Sequence, residues 1–284
     1  MKSPTKVMTY NFSVYIHTNR MNHVPAQVAK YSYCKHNPEL EVYLDYLEDH
    51  PPLLKYDKST FYRHYGGKKK LCWLANKYQA FFPVRFLCSE THKKKKRKHK
   101  WILVVDPDIF CLKSLSVLND FIKEAEKKKI NVIAIQRNSK VKLSSAMLLN
   151  TEKILWNEAD LLEDMFEKKN DFDKWMFLQE FNCLNLPDEF NLSDELYEDT
   201  VMLHVSKPQT QPWKTGIAYK ECELDNLMPG KDSKTLIFEK HPNDEIYKMV
   251  IKLFEEAYEN KYFSDAEVGE AINIKALRPD ILKK

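Results

Sequence analysis

Glycine is scarce in this chain, with 5 in 284 residues. Gly66-Gly67 is the only adjacent pair, so neither a dinucleotide fingerprint nor a Walker loop is present, since both need glycines at fixed spacing for close backbone approach to phosphate. No apolar run approaches the roughly 20 residues needed to cross a bilayer. Met1 to Thr9 lack the apolar core of a signal peptide. The cysteines (Cys34, Cys72, Cys88, Cys111, Cys183, Cys222) show no paired spacing, which argues against a zinc site or disulfide framework and for reduced, mostly buried thiols. There are no internal repeats. A cytoplasmic protein without a transmembrane segment is expected, with peripheral membrane contact left open.

What is present is ordinary for a globular protein: 43% apolar and 30% charged residues, in a length that suits one large α/β domain or two small ones. The net charge of +4 comes largely from Lys93-Lys94-Lys95-Lys96-Arg97-Lys98-His99-Lys100. That run has two functional readings, a nuclear address or a patch for an anionic surface. A solvated, mobile loop between a helix and a strand is favoured over both. Because the rest of the chain is near neutral and carries no recognised binding module, no nucleic acid partner is expected.

The centre of the chain is Trp101-Ile102-Leu103-Val104-Val105-Asp106-Pro107-Asp108-Ile109-Phe110. Five consecutive apolar residues predict a strand buried on both faces, as in a parallel sheet. Asp106 and Asp108 follow at its carboxyl end, where open α/β sheets bind ligands. Side chains two residues apart in an extended segment point to the same side, so the two acids could converge on one divalent cation. Asp-Pro-Asp is also good turn chemistry after any strand, and that structural alternative is the commoner one for an isolated motif.

In chain order, Phe12 to Ile16 predicts a strand, Val24 to Tyr33 a helix with Pro25 in its first turn, and Leu40 to Leu44 a second strand. This is the βαβ start of a nucleotide-binding domain. Residues 50–70 read as loop, and Lys70 to Phe82 as a helix closed by Pro83. Leu115 to Lys129 predicts an amphipathic helix, Asn131 to Ile135 a buried strand, Leu143 to Asn150 a further strand, and residues 151–182 helices. Leu186 to Asn191 is a turn-rich link. Val201 to Val205 is a short strand interrupted by His204, which alone would be read as a satisfied core histidine. Beyond Ile217 the chain is polar, and Asp244 to Tyr258 forms an amphipathic helix.

Three stretches together resemble GT-A glycosyltransferases of the family-eight type. They are Val105-Asp106-Pro107-Asp108 with Phe110 and Leu112, Ser144-Ser145-Ala146-Met147-Leu148-Leu149-Asn150, and His204 followed by Lys207-Pro208-Gln209-Thr210-Gln211-Pro212-Trp213-Lys214. Leu186-Pro187 through Asn191 and Leu277-Arg278-Pro279-Asp280 fit as well. The resemblance runs from Phe12 to about Leu282 and is weakest over 45–100. It departs from the family at Val205-Ser206-Lys207, where the stricter pattern has a glycine before its lysine, and at the basic run.

The resemblance implies an α/β GT-A (Rossmann-like) fold, with a mostly parallel central sheet flanked by helices. Residues 1–240 would form the glycosyltransferase domain, and 241–284 a helical C-terminal extension packed on it. It implies an enzyme that moves a hexosyl unit from a nucleotide diphosphate sugar, expected to be a UDP-sugar, to an acceptor hydroxyl of a glycan, protein or lipid, with retention. Asp106, Asp108 and His204 would ligate Mn²⁺ or Mg²⁺; carboxylates and an imidazole suit such a cation. Asp108, Gln179 and Glu180 would stand near the reacting carbon. Tyr15, His17, Thr18 and Asn19 would hold the base and ribose, with Asp106 also reaching the ribose. Arg85, Lys207 and Lys214 would meet the diphosphate. Ser144, Ser145 and Asn150 would meet sugar hydroxyls, and Trp213 would stack on an acceptor sugar or plug the core. Other classes stay open: a non-catalytic nucleotide-sugar-binding protein, a basic nucleic-acid-binding protein, and a metal-dependent phosphotransferase.

Overall fold

The structure is a computed structural model that describes residues 9–54, 60–65, 68–73, 83–154, 156–167, 172–218 and 236–282. Its centre is a six-stranded sheet. The strands are β1 (Phe12–Thr18), β2 (Val42–Tyr46), β5 (Trp101–Val105), β7 (Val132–Gln136), β8 (Lys142–Asn150) and β9 (Cys183–Asn185), laid side by side in the order β2-β1-β5-β8-β7-β9. Pairings β2 to β1, β1 to β5 and β7 to β9 are parallel, while β8 runs antiparallel to both its neighbours. The expected α/β class with a mostly parallel central sheet is what the chain adopts.

Every residue of β1 and of β5 is buried, which is why both are apolar or β-branched along almost their whole length. Alternate residues feed two cores. Phe12, Val14, Ile16, Leu103, Val105, Ile133 and Leu148 face one side. Tyr15, Ile102, Val104, Val132, Met147 and Leu149 face the other. Helix α1 (His23–His36) covers the first side. Helix α2 (Val84–Lys94) supplies Val84, Phe86, Leu87 and Cys88 to the second. Helix α3 (Leu118–Lys128) buries Leu118, Ile122 and Ala125 at helical spacing. It ends at Lys129, whose φ of 56° is the left-handed stop usual there, after Lys127 and Lys128 have met the negative end of the helix dipole. Helices α4 (Glu158–Leu162) and α5 (Phe172–Met176) follow β8.

The C-terminal segment contributes α6 (Asp244–Glu259) and α7 (Asp265–Asn273), the latter opened by a reciprocal Ser264–Glu267 capping box. Ile246, Val250, Phe254, Leu277 and Ile281 belong to the same cluster as β1 and β5. A second, small sheet orders β10 (Leu192–Ser193), β11 (Met202–His204) and β6 (Ile109–Cys111), with β11 antiparallel to β6.

Residues 50–70 are not simply loop. Thr60–Tyr65 (β3) pairs antiparallel with Lys68–Trp73 (β4), so the start of the helix expected over 70–82 is strand instead, and 74–82 lie outside the described residues. Pro83 opens a helix rather than closing one: its ring presets a helical φ, and at the first turn its missing N–H costs nothing. The basic run is not a free loop either. Lys93 and Lys94 are the last turn of α2, Arg97 lies over the Tyr43 ring at 4.0 Å, and His99 Nδ1 is 2.8 Å from Ser13 Oγ.

Candidate metal and donor site

From β1 the chain turns one way, through α1 to β2, and later returns on the other side as β5. The carboxyl ends of β1 and β5 therefore meet at the topological switch point, the crevice where open α/β sheets hold ligands. His17 ends up there from β1 and Asp106 from β5, with Nε2 and Oδ1 3.2 Å apart.

Asp106-Pro107-Asp108-Ile109 is a tight turn. Ile109 N–H donates to the Asp106 carbonyl at 3.2 Å, and Pro107 occupies the position where a proline presets the turn. Both strands beside the turn hold it: Asp106 N–H donates to Ser145 O at 3.0 Å, and Val205 N–H to Asp108 O at 3.0 Å. The second bond brings the end of β11 alongside, in register with Ile109, and delivers His204 to the acids. Its Nε2 stands 3.3 Å from Asp108 Oδ1 and 3.9 Å from Asp106 Oδ2. Among the described residues, Asp106, Asp108 and His204 form the one group of three or more such side chains able to hold a metal ion, with ligand atoms within 4.8 Å of one another.

Each carboxylate divides its oxygens between this centre and a supporting group. Asp106 Oδ1 faces the buried guanidinium of Arg85 at 2.9 Å, leaving Oδ2 toward His204. Asp108 Oδ2 accepts from Gln211 Nε2 at 3.2 Å, leaving Oδ1 toward His204. Arg85 also donates to Ser144 Oγ at 2.9 Å, and that hydroxyl donates to Met176 O at 2.8 Å. Behind His204, Asp194 donates its N–H to the His204 carbonyl at 2.9 Å. Its carboxylate accepts from Ser206 Oγ at 2.7 Å and stands 3.3 Å from His241 Nε2.

The electrostatics follow from burial. Desolvation pushes the Asp106 carboxyl up to about 6 even though Arg85 and His204 pull it down. Burial works against a charged His204, but Asp108, Asp106 and Asp194 outweigh it and hold the imidazole above its usual value. His17, fully buried and beside the Arg85 cation, is held well below. Two carboxylates thus surround one imidazole that they favour in cationic form. A hard divalent cation suits the same oxygens, with the neutral imidazole as a third ligand.

The other residues singled out from sequence are scattered. Thr18 and Asn19 lie buried at the end of β1, with Asn19 Oδ1 accepting from Asn22 N–H at 2.9 Å. Ser145 Oγ accepts from Asn191 Nδ2 at 2.7 Å, beside the acids. Lys207 is exposed, while Lys214 is buried with its ammonium 5.5 Å from the Phe238 ring centre. Tyr15 is core: its ring packs in the α2-side cluster and its hydroxyl meets His92 Nδ1 at 3.2 Å. Gln179 and Glu180 are exposed in the turn after α5, with Glu180 3.7 Å from Lys174, and nothing brings them into contact with the acids.

Asn150 is a correction, and Trp213 takes the second of its two alternatives. Asn150 pairs with Trp101, at the opposite end of β5 from Asp106, because β8 runs antiparallel; the strand rise puts it about 13 Å from the site edge. It caps the turn that follows, accepting from Glu152 N–H at 3.2 Å. Trp213 is 2% exposed, packed edge-on to Phe110 and stacked on Phe254, so it plugs the core and offers no face to a sugar.

Sequence reasoning missed Gln211, Asp194 and His241. Gln211 lay inside the quoted Thr210-Gln211-Pro212 segment, where a side-chain amide a few residues beyond His204 was the available signal. Asp194 and His241, 47 residues apart, carry none.

No family model and no curated protein sequence matches the chain. Among solved structures it is similar to the galactosyltransferase LgtC in complex with donor and acceptor sugar analogues, with 13% identity over 91% of this chain and 99% of that one and a TM-score of 0.45. It is similar also to the glycosyltransferase GlyE of Streptococcus pneumoniae TIGR4, with 15% identity over 89% and 65% and a TM-score of 0.49. A third is mouse xyloside xylosyltransferase 1 in its apo form, with 12% identity over 69% and 97% and a TM-score of 0.39.

Proposed function

We propose that the chain is a metal-dependent glycosyltransferase of GT-A type. It would move a hexosyl unit from a nucleotide diphosphate sugar, a UDP-sugar in the first instance, to an acceptor hydroxyl with retention of anomeric configuration. The observation that carries this reading is the convergence of Asp106, Asp108 and His204 within 4.8 Å at the switch point between β1 and β5. The sequence resemblance over the same residues supports it independently.

Asp106, Asp108 and His204 would hold Mn²⁺ or Mg²⁺, whose chemistry when bound is to neutralise charge on a leaving diphosphate. The chain's own side chains do the rest. Arg85 and Gln211 fix the outward oxygens of the two carboxylates, so that the inward ones stay preorganised. Lys207, exposed on the loop after His204, adds a mobile cation at the mouth for the diphosphate. Thr18, Asn19 and Ser145 line the edges on either side, for the nucleoside and the sugar. Gln179 and Glu180 would need to approach from the exposed turn after α5 to act at the reacting carbon. A cytoplasmic location belongs to the same proposal; among the described residues no helix is long and apolar enough to cross a membrane.

The test is calorimetric titration of UDP into the protein with and without Mn²⁺, beside Asp108→Asn. Metal-dependent heat that the variant loses supports the donor site, and UDP-sugars are then assayed for hydrolysis and transfer. A folded protein that gives no heat with any nucleoside diphosphate overturns the proposal. Binding without turnover transfers it to a non-catalytic nucleotide-sugar-binding protein.

A further inference from the structure

The lysine run takes no part in this site. It lies at the other edge of the sheet, where β5 begins at Trp101, β7 begins at Val132 and the antiparallel β8 ends at Asn150. Two further pieces of chain bring cations to the edge where the run lies. Helix α2 ends there in Lys93 and Lys94, followed by the exposed Lys95, Lys96 and Lys98. Helix α3 ends there in Lys127, Lys128 and Lys129, and the turn after β8 adds Lys153, all exposed. Contacts tie the pieces into one surface. Lys93 Nζ donates to Ile154 O at 2.8 Å, and Lys100 Nζ bridges Glu126 at 3.1 Å and Glu152 at 3.8 Å.

Acids on this surface are already used. Glu90 pairs with Lys94, Glu124 with Lys128, and Glu126 and Glu152 with Lys100. Lys98 faces the Glu41 carboxylate, while Lys95, Lys96, Lys127, Lys129 and Lys153 form no ion pair with an acid among the described residues. Such a concentration of ammonium groups on one edge gives it a strongly positive local field.

The chemistry of the patch selects its partner. Its single arginine, Arg97, is laid over Tyr43 and offers no fork to a base edge. The exposed large apolar side chains of the described residues (Val117, Tyr197, Ile237 and Ile274) all lie outside it, so it has no platform for stacking bases. Helices α2 and α3 present their carboxyl ends to the edge, and neither projects as an element that could enter a groove. What remains is a broad field of flexible point charges, which suits a plane of anionic headgroups.

We propose that this edge docks the protein on an anionic lipid surface. The metal and donor site would then face away, because Asp106 lies at the opposite end of β5. The interaction is electrostatic at headgroup level, with no inserted side chain, so it is reversible and falls steeply with salt.

The experiment is flotation of the full chain with phosphatidylcholine vesicles, and with vesicles containing roughly one-third phosphatidylserine, at ionic strengths from about 0.05 M to about 0.5 M. Binding is expected to the anionic vesicles alone and to vanish at the highest salt. Lys95→Glu/Lys98→Glu and, separately, Lys127→Glu/Lys129→Glu should each weaken it about tenfold or more. The charge-matched control Lys240→Glu/Lys248→Glu should leave it nearly unchanged. Loss in only the first pair would reduce the surface to the run alone and overturn the composite face. Equal binding to neutral vesicles, or none to anionic ones, would overturn the proposal. So would tighter salt-matched binding to a DNA duplex, which would give the edge to nucleic acid. Donor titration on the same variants separates this proposal from the preceding one, since it should be unaffected.

Discussion

Arg85 Nη2 lies 2.9 Å from Asp106 Oδ1, with the two side chains 2% and 11% exposed. The pair sets which oxygen of Asp106 is free to face His204. It also means that the site is built around a buried charge which Arg85, with His204, keeps tolerable. Removing one partner of such a pair leaves the other charge uncompensated, which costs about 3–5 kcal/mol. Arg85→Met should lower stability by about that much, read as a reduced urea midpoint with an unchanged slope. Arg85→Lys should recover only part of it, because an ammonium cannot meet Asp106 and Ser144 Oγ together. A midpoint unaffected by Arg85→Met would mean that the pair does not hold the site.

The raised value of Asp106 makes a second prediction, about pH. Its carboxyl titrates near 6 when folded, against an ordinary 3.8. Between those values the folded state holds the extra proton, so this group stabilises the fold below about pH 4 and the contribution is lost as pH rises through 6. His204, also raised, acts in the same direction above its ordinary value of 6.5. His17, lowered, opposes them, since its contribution is lost as pH falls below 6.5. Asp106→Asn removes the first contribution and weakens the second, because Asp106 is one of the acids that raise His204. Measured by urea unfolding with a chelator present, the variant should gain on the wild type by up to about 3 kcal/mol between pH 4 and pH 7. A constant difference across that range would show that Asp106 ionises normally.

The strand Trp101–Val105 and its two acids were legible because burial on both faces leaves an unbroken apolar run, and a proline after it marks where pairing stops. His204 was legible only through its neighbours, since one imidazole in an apolar triplet has no signature of its own. Helix α2 was overlooked although Val84, Leu87, Cys88 and Thr91 recur at helical spacing and lysines fill its last turn, because Pro83 read as the close of a helix over 70–82 and not as the start of one. That miss hid the Arg85–Asp106 pair. Asn150 was misplaced for a different reason: a strand's direction in a sheet is set by partners far along the chain, and local residue type does not encode it. The same limit applies to Asp194, which meets His241 only after the C-terminal segment has folded back.

Asp194 is the junction behind His204 and should be costly to remove. Its φ of 55° is tolerated by Asp and Asn better than by most residues, and its carboxylate serves Ser206 and His241, the latter fully buried. Asp194→Ala takes the acceptor from Ser206 Oγ and from the buried His241 Nε2 and strains the backbone, for a loss of about 2–4 kcal/mol. Asp194→Asn keeps the backbone and one hydrogen bond and should lose less. If Asp194 also positions His204, Asp194→Asn will weaken Mn²⁺ binding by roughly 10-fold or more while its thermal unfolding stays cooperative. Unchanged metal affinity would confine Asp194 to a structural role.

Trp213 separates a packing role from a ligand role. Its indole stacks on Phe254 at 5.9 Å and meets Phe110 edge-on at 6.0 Å, joining α6 to β6, the strand that leads directly out of the two acids. Its carbonyl accepts from Arg278 N–H at 2.8 Å, so the C-terminal end of the chain is anchored on the same residue. A buried Trp→Ala leaves a cavity that the surroundings fill only in part, at about 3–5 kcal/mol. Trp213→Phe, which keeps an aromatic ring between its neighbours, should cost less. If the indole were an acceptor platform, Trp213→Phe would raise the acceptor KM several-fold with stability nearly intact. Packed as it is, the substitution should instead lower the unfolding midpoint and leave KM for donor and acceptor alone. Following both quantities on one preparation decides between the two, because the stability change is expected here without the KM change.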